Sequence, residues 1–182
     1  FGQKKLQGGG PLIDIGVHAI DMAWYLMGKP KPVSVSGRFY ETIGKTPGHT
    51  GMFGGWDWKT YDVEDFAVAL VRFEGGQTMT VESAFCVNLS EDQFSAEIVG
   101  DRGGATVSPL KVMLQEQGYL ITGEPQFVKD RVQPHAAGLW AFADAVLDNT
   151  PVPIPGEEAI VTQKIIDGLY KSSQLGREVK IG

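Results

Sequence analysis

The order of secondary-structure signals, one helix, then a succession of short strands, then two helices, predicts an α+β domain: an open, predominantly antiparallel sheet with helices packed on one face. Two further observations support that class. A two-residue connection, Gly75-Gly76, joins the β-rich runs 65–74 and 77–87 in the manner of an antiparallel hairpin. A chain of 182 residues, 42% hydrophobic and 21% charged, can also bury one core without disulfide or metal staples. A single domain over residues 1–182 is therefore expected.

The elements follow in order. Gly8-Gly9-Gly10-Pro11 reads as a flexible turn closed by a proline suited to the first turn of a helix, and the helix should run from about Pro11 to Met27. Gly28 stops it, and Pro30 and Pro32 keep it from restarting. Residues 33–40 alternate apolar and polar side chains and predict a half-buried strand. From Glu41 to Asp62 there is no periodicity. His49 and the aromatic residues Phe53, Trp56, Trp58 and Tyr61 lie there, and a loop of that length in a compact domain is expected to be a lid or a binding loop. Beyond the hairpin, 94–99, 105–107, 112–115 and 119–121 predict further short strands between Gly, Pro and Asp turns. Helices are expected over 135–147 and 157–175, the second with Ala159, Ile160, Ile165, Ile166 and Leu169 on one side and Gly176 as its stop signal.

Charge and composition narrow the partners. A formal net charge of -6 without a Lys/Arg cluster argues against nucleic acid. The longest apolar segment, Val17 to Met27, is broken by His18 and Asp21 and is too short to span a bilayer, so no membrane partner and a cytoplasmic location are expected. The lone Cys86, flanked by Phe85 and Val87, suits a buried strand thiol better than a nucleophile.

The first helix carries the candidate chemistry. It is apolar nearly all round, so both flanks are expected to be buried. Its polar residues Asp14, His18, Asp21 and Tyr25 follow the spacing i, i+4, i+7, i+11, which at about 100° per residue confines them to a stripe roughly 60° wide. Asp14 and His18 stand one turn apart. An imidazole of ordinary pKa about 6.5 can take a hydroxyl proton near neutrality while a neighbouring carboxylate orients ring or substrate. Spacing alone leaves the alternative open that Asp14 caps the first turn and His18 bonds a backbone carbonyl.

Residues 8–21, GGGPLIDIGVHAID, resemble the GGG-x-L-x-D-x-G-x-H-x-x-D signature of the Gfo/Idh/MocA oxidoreductases, the family of glucose-fructose oxidoreductase and inositol dehydrogenase. Glu64-Asp65-Phe66-Ala67, Phe73-Glu74-Gly75-Gly76, Ile98-Val99-Gly100 before Gly103-Gly104, and Ser172-Ser173-x-x-Gly176-Arg177 resemble the family's C-terminal domain in the same order. The resemblance implies a two-domain enzyme in which an N-terminal Rossmann domain holds NAD or NADP. The present domain would supply the sugar or polyol side, and a sheet surface for homo-oligomers. It further implies that His18 is the general base, that Asp14 binds or orients the same substrate, and that a lysine comes from the other domain; Asp21 is expected to anchor the helix. Neither G-x-G-x-x-G nor the family's E-K-P lysine occurs in these residues, so no cofactor-binding residue is assigned to them. With Phe1 in place of Met, the chain is expected to be a fragment that is inactive by itself.

Two other readings compete. The domain could be a carbohydrate-binding or oligomerisation module without chemistry, with the aromatic loop stacking on sugars. Alternatively Asp14 and His18, completed by His49 or His135, could hold a metal, although no H-E-x-x-H or cysteine pair supports this. His49 is expected to be solvated and His135 to be a helix-terminus residue.

Overall fold

The computed structural model describes residues 1–51, 54–126 and 133–181. It has an α+β fold. A single turn, α1 (Lys4–Gln7), ends at Gly8, whose φ of 90° needs a residue without a Cβ. The first long helix then opens with a π-helical turn over Leu12–Gly16 and continues as α2 (Val17–Leu26). The strands are β1 (Pro32–Tyr40), a two-residue ribbon β2 (Thr50–Gly51) and β3 (Gly54–Gly55), β4 (Phe66–Phe73), β5 (Thr78–Ala84), β6 (Glu97–Gly100), β7 (Gly103–Thr106), β8 (Lys111–Glu116) and β9 (Tyr119–Gly123). Helices α3 (Pro134–Leu147) and α4 (Gly156–Leu175) follow, then β10 (Val179–Lys180).

The expected open sheet is present in two parts. β10-β1-β4-β5 form the main four-stranded sheet and β6-β7-β8-β9 a second one, with every pair antiparallel. In β4 and β5 every second residue is buried, Ala67, Ala69, Val71 and Phe73 facing the core with Met79, Val81 and Ser83. The connection between them is longer than the sequence suggested. The Gly76 N–H donates to the Phe73 carbonyl and the Phe73 N–H to Gln77, so Glu74, Gly75 and Gly76 form a three-residue loop with Gly76 left-handed at φ 84°.

Helix α4 lies across β1 and seals the core with Ile165, Ile166 and Leu169, each fully buried. Ala159 and Ile160, expected on the same side, are exposed; the buried stripe starts at Thr162 and continues through Gly168 to Ser172. The Ser172-Ser173 pair has a structural explanation. β10 pairs with β1 only at Ser34 and Val35, which leaves the rest of that edge without a strand partner. The Gly37 and Phe39 N–H groups donate instead to the Ser172 and Ser173 hydroxyls, each at 3.0 Å, and Ser172 donates onward to the Arg177 carbonyl at 2.7 Å. Gly176 closes α4 in the left-handed region at φ 63°.

Close approach of α4 to the sheet depends on Gly168, where a Cβ would stand 2.5 Å from Ile181 Cγ2 and 2.9 Å from Val35 Cγ2. Gly168→Ala is therefore expected to cost about 1–3 kcal/mol, the usual range for overpacking a tight core. Urea denaturation measures it, and stability within about 0.5 kcal/mol of the parent, typical of a neutral surface change, would contradict the packing described.

Candidate functional site

The site begins with the turn that launches the first helix. Glu64, only 4% exposed, precedes β4 and lies against Gly10. Its Oε1 accepts the Leu12 N–H at 3.3 Å and the Tyr170 O–H at 2.7 Å, and its backbone carbonyl accepts the Tyr61 O–H at 3.2 Å. A buried carboxylate needs such donors, and the first N–H groups of a helix, at the positive end of its dipole, suit it. Burial, with the Glu64 hydrogen bond and charge adding to it, pushes the Tyr170 phenol far above its ordinary range. It therefore stays protonated and donating. Burial acts the same way on Tyr61.

The glycines follow from that packing. A Cβ on Gly9 would stand 2.1 Å from the Tyr170 hydroxyl oxygen, and one on Gly10 2.1 Å from the Glu64 carbonyl oxygen. Gly9 and Gly10 are thus required by close approach, and Gly8 by its positive φ. On the other side of the turn, Ser83 of β5 donates its hydroxyl to the Pro11 carbonyl at 2.9 Å. A side chain bonded to that carbonyl competes with the regular helix ladder, and the helix opens as a π turn. Gly16 permits the contact, because a Cβ there would meet Ser83 Oγ at 3.1 Å and Leu12 Cδ1 at 3.2 Å.

Asp14 stands half-buried in the π turn and His18 exposed in the first turn of α2. A π turn takes more residues per revolution, so positions four apart come nearer to one line than in a regular helix. Neither side chain makes a hydrogen bond or ion pair with another described residue. Asp21 does have a partner, accepting the Thr162 hydroxyl of α4 at 3.0 Å. Tyr25 is exposed, with the Lys29 ammonium 5.2 Å from its ring centre. The expectation of two buried flanks is corrected. Leu12, Gly16, Ile20, Ala23 and Trp24 pack inward, whereas the polar stripe faces out and Leu26 is exposed. Among the described residues the main sheet, α4 and β6 pack against the helix, while His18, Asp21 and Tyr25 stay exposed.

The remaining candidates separate. His49 lies exposed in the 41–62 loop and His135 exposed in the first turn of α3, and no group of three or more His, Cys, Asp and Glu among the described residues has metal-binding geometry. In the aromatic loop, Tyr61 is buried and Trp56 donates its indole N–H to the Gly44 carbonyl at 2.7 Å, so both secure the loop. Trp58 is 38% exposed, and Phe53 lies outside the described residues. Cys86 is buried, and burial reinforced by Asp65 raises its thiol to about 11, which suppresses the thiolate. A cleft of about 140 Å³ opens beside Gly9, Phe39, Glu64 and Tyr170, but neither Asp14 nor His18 lines it. No helix among the described residues is long and apolar enough to cross a membrane.

Residues 2–181 match the Gfo/Idh/MocA family model described as "Oxidoreductase family, C-terminal alpha/beta domain". The chain belongs to this family. It is 34% identical over its full length to D-glucoside 3-dehydrogenase of Escherichia coli, of which it covers 51%. It is also 29% identical, over 76% of its length, to levoglucosan dehydrogenase of Pseudarthrobacter phenanthrenivorans, of which it covers 38%. Among solved structures, levoglucosan dehydrogenase in complex with NADH superposes with a TM-score of 0.78 at 20% identity, over 100% of this chain and 52% of that one. Aldose-aldose oxidoreductase of Caulobacter crescentus, complexed with glycerol, gives 0.73 at 24% identity, over 98% and 49%. This Gfo/Idh/MocA C-terminal domain thus spans about half the length, or less, of the curated relatives it matches.

Sequence reasoning singled out Asp14 and His18 but gave no role to Glu64, Ser83 or Tyr170. Their contacts span 52, 72 and 106 residues of chain, which no local periodicity reveals. The one available signal was Glu64-Asp65 placed directly before a strand.

Proposed function

We propose that this domain is the substrate-binding half of an NAD(P)-dependent oxidoreductase acting on a sugar or polyol, with His18 as general base and Asp14 orienting the same substrate. The observation that carries the reading is how the motif's residues divide. Gly9, Gly10, Leu12 and Gly16 are all accounted for by packing, and Asp21 by Thr162. Of the motif's residues, Asp14 and His18 alone are left without structural partners among the described residues, one half-buried and the other exposed, four positions apart on the helix. That pattern disfavours the alternative in which they serve only as cap and carbonyl partner. The two named dehydrogenases, which act on a D-glucoside and on levoglucosan, support a carbohydrate substrate.

The dinucleotide's phosphates do not fit here. The glycine turn ahead of the helix is filled by the Glu64 carboxylate, which would repel a pyrophosphate, so cofactor binding belongs to a Rossmann domain elsewhere in the full-length protein. The nicotinamide of that cofactor, when bound, is the hydride acceptor. The residues of this chain supply the other half of the reaction. Asp14 accepts a hydrogen bond from the substrate and fixes its face, and the His18 imidazole takes the hydroxyl proton as the carbon–oxygen double bond forms. Without the Rossmann domain the chain is expected to be inactive.

In the full-length protein His18→Ala should lower kcat by about two to four orders of magnitude, and Asp14→Ala should weaken sugar use while cofactor affinity stays unchanged. Steady-state kinetics with aldoses and polyols, alongside cofactor titration, measures both. Wild-type turnover in His18→Ala would refute the assignment.

A second reading, self-association, is favoured by the second sheet. Leu114 pairs with Ile121, and Val112 and Tyr119 lie on the same face, with Glu116 opposite Tyr119 at its end, leaving an apolar patch on which Leu114, Tyr119 and Ile121 are all exposed. We propose that a second copy covers it. Sedimentation equilibrium should give a dimer or larger that Leu114→Glu with Ile121→Lys converts to monomer. A monomeric parent would rule this out.

A further inference from the structure

We propose that Glu64 and Ser83 are positioning residues for the chemistry of Asp14 and His18: they grip the backbone N–H and C=O at which the helix begins and so fix the turn on which both functional side chains stand. The inference rests on the assignment of Asp14 and His18 made above.

The grip comes from two points of the main sheet, one just ahead of β4 and one on the neighbouring β5. Glu64 takes the Leu12 N–H, and Ser83 donates to the carbonyl of the preceding residue, Pro11. Both side chains are buried, at 4% and 7% exposure, so neither bond competes with bulk water. Tyr170 holds the Glu64 carboxylate from α4, and Gly10 and Gly16 leave the turn no slack against either side chain. Further along, the helix has other anchors: the buried Ile20 and Trp24, the Thr162–Asp21 hydrogen bond, and the Lys29–Glu158 ion pair at 2.6 Å. Releasing the clamp would therefore loosen the turn that carries Asp14 and the register of His18 while the body of the helix stays docked. Small displacements suffice, because misplacing a reacting group by about 1 Å can cost about 100-fold in rate.

The test uses the full-length enzyme with its nicotinamide cofactor, comparing Glu64→Ala, Glu64→Gln, Ser83→Ala and His18→Ala, with kcat expressed per cofactor-occupied site. A destabilised but otherwise intact enzyme loses occupied sites and keeps its rate per site; a mispositioned one keeps sites and loses rate. Glu64→Ala is expected to lower kcat per site about 10- to 100-fold with cofactor Kd within about twofold. Glu64→Gln, whose amide oxygen can still accept from Leu12 and Tyr170, should restore most of it. Ser83→Ala should fall by a smaller factor. If Glu64→Ala fails to fold, Ser83→Ala, which deletes one hydroxyl, carries the test. Rates per site within twofold of wild type in the alanine variants, with His18→Ala inactive, would overturn the clamp and leave the base assignment standing. Full activity in His18→Ala would instead overturn the base assignment, and the clamp with it. Equal losses in Glu64→Gln and Glu64→Ala would overturn the role of Glu64 as a hydrogen-bond acceptor.

Discussion

A carboxylate buried under a glycine turn organises this domain. No ion pair to Glu64 is formed among the described residues, and the Leu12 amide, the Tyr170 hydroxyl and the positive end of a helix satisfy it instead. Satisfying the carboxylate brings three distant parts of the chain together: the start of the first helix, the entry to β4, and the middle of α4. Gly9 and Gly10 allow the backbone close enough for it to happen. The same contact anchors the start of the first helix, on which Asp14 is half-buried and His18 exposed.

The division of labour within one helix turn is physical. Residues that face the sheet are small or apolar because the distance to Ser83, Glu64 and Tyr170 is short. Of those facing away, Asp14 and His18 have no partner among the described residues, whereas Asp21 accepts from Thr162. Asp14, half-buried without a partner among the described residues, costs stability and contributes nothing to the fold, in keeping with the proposed substrate contact. Both the π turn and its anchorage lie beneath these groups, in keeping with the frequency of such turns at functional sites.

How much of this was legible in the sequence depended on whether the determining contacts were local. The limits of the first helix, the strand 33–40 and the stop at Gly176 follow from caps, prolines and alternation, and the structure reproduces them within one or two residues. The Gly75-Gly76 hairpin was found, but its three-residue loop depends on Gly76 adopting a left-handed conformation that two adjacent glycines do not specify. The division of the sheet into two, the inward turn of Trp56 and Tyr61, and the exposed flank of the first helix are tertiary outcomes. Apolarity all round a helix looks the same whether its second face meets its own chain or another domain. Asp14 and His18 could be picked out by spacing and motif; the roles of Glu64, Ser83 and Tyr170 could not, because their partners are remote in sequence.

On the proposed reading, this domain holds the proton-transfer groups, with Asp14 half-buried and His18 exposed at the start of the first helix. A structure of the full-length protein bound to its nicotinamide cofactor and a sugar tests this most directly, through the distance from the His18 imidazole to the hydroxyl on the carbon facing the nicotinamide. The account predicts hydrogen-bond contact there, at about 2.6–3.2 Å, with Asp14 on the same sugar. A sugar bound away from the first helix, with His18 still in solvent, would contradict it.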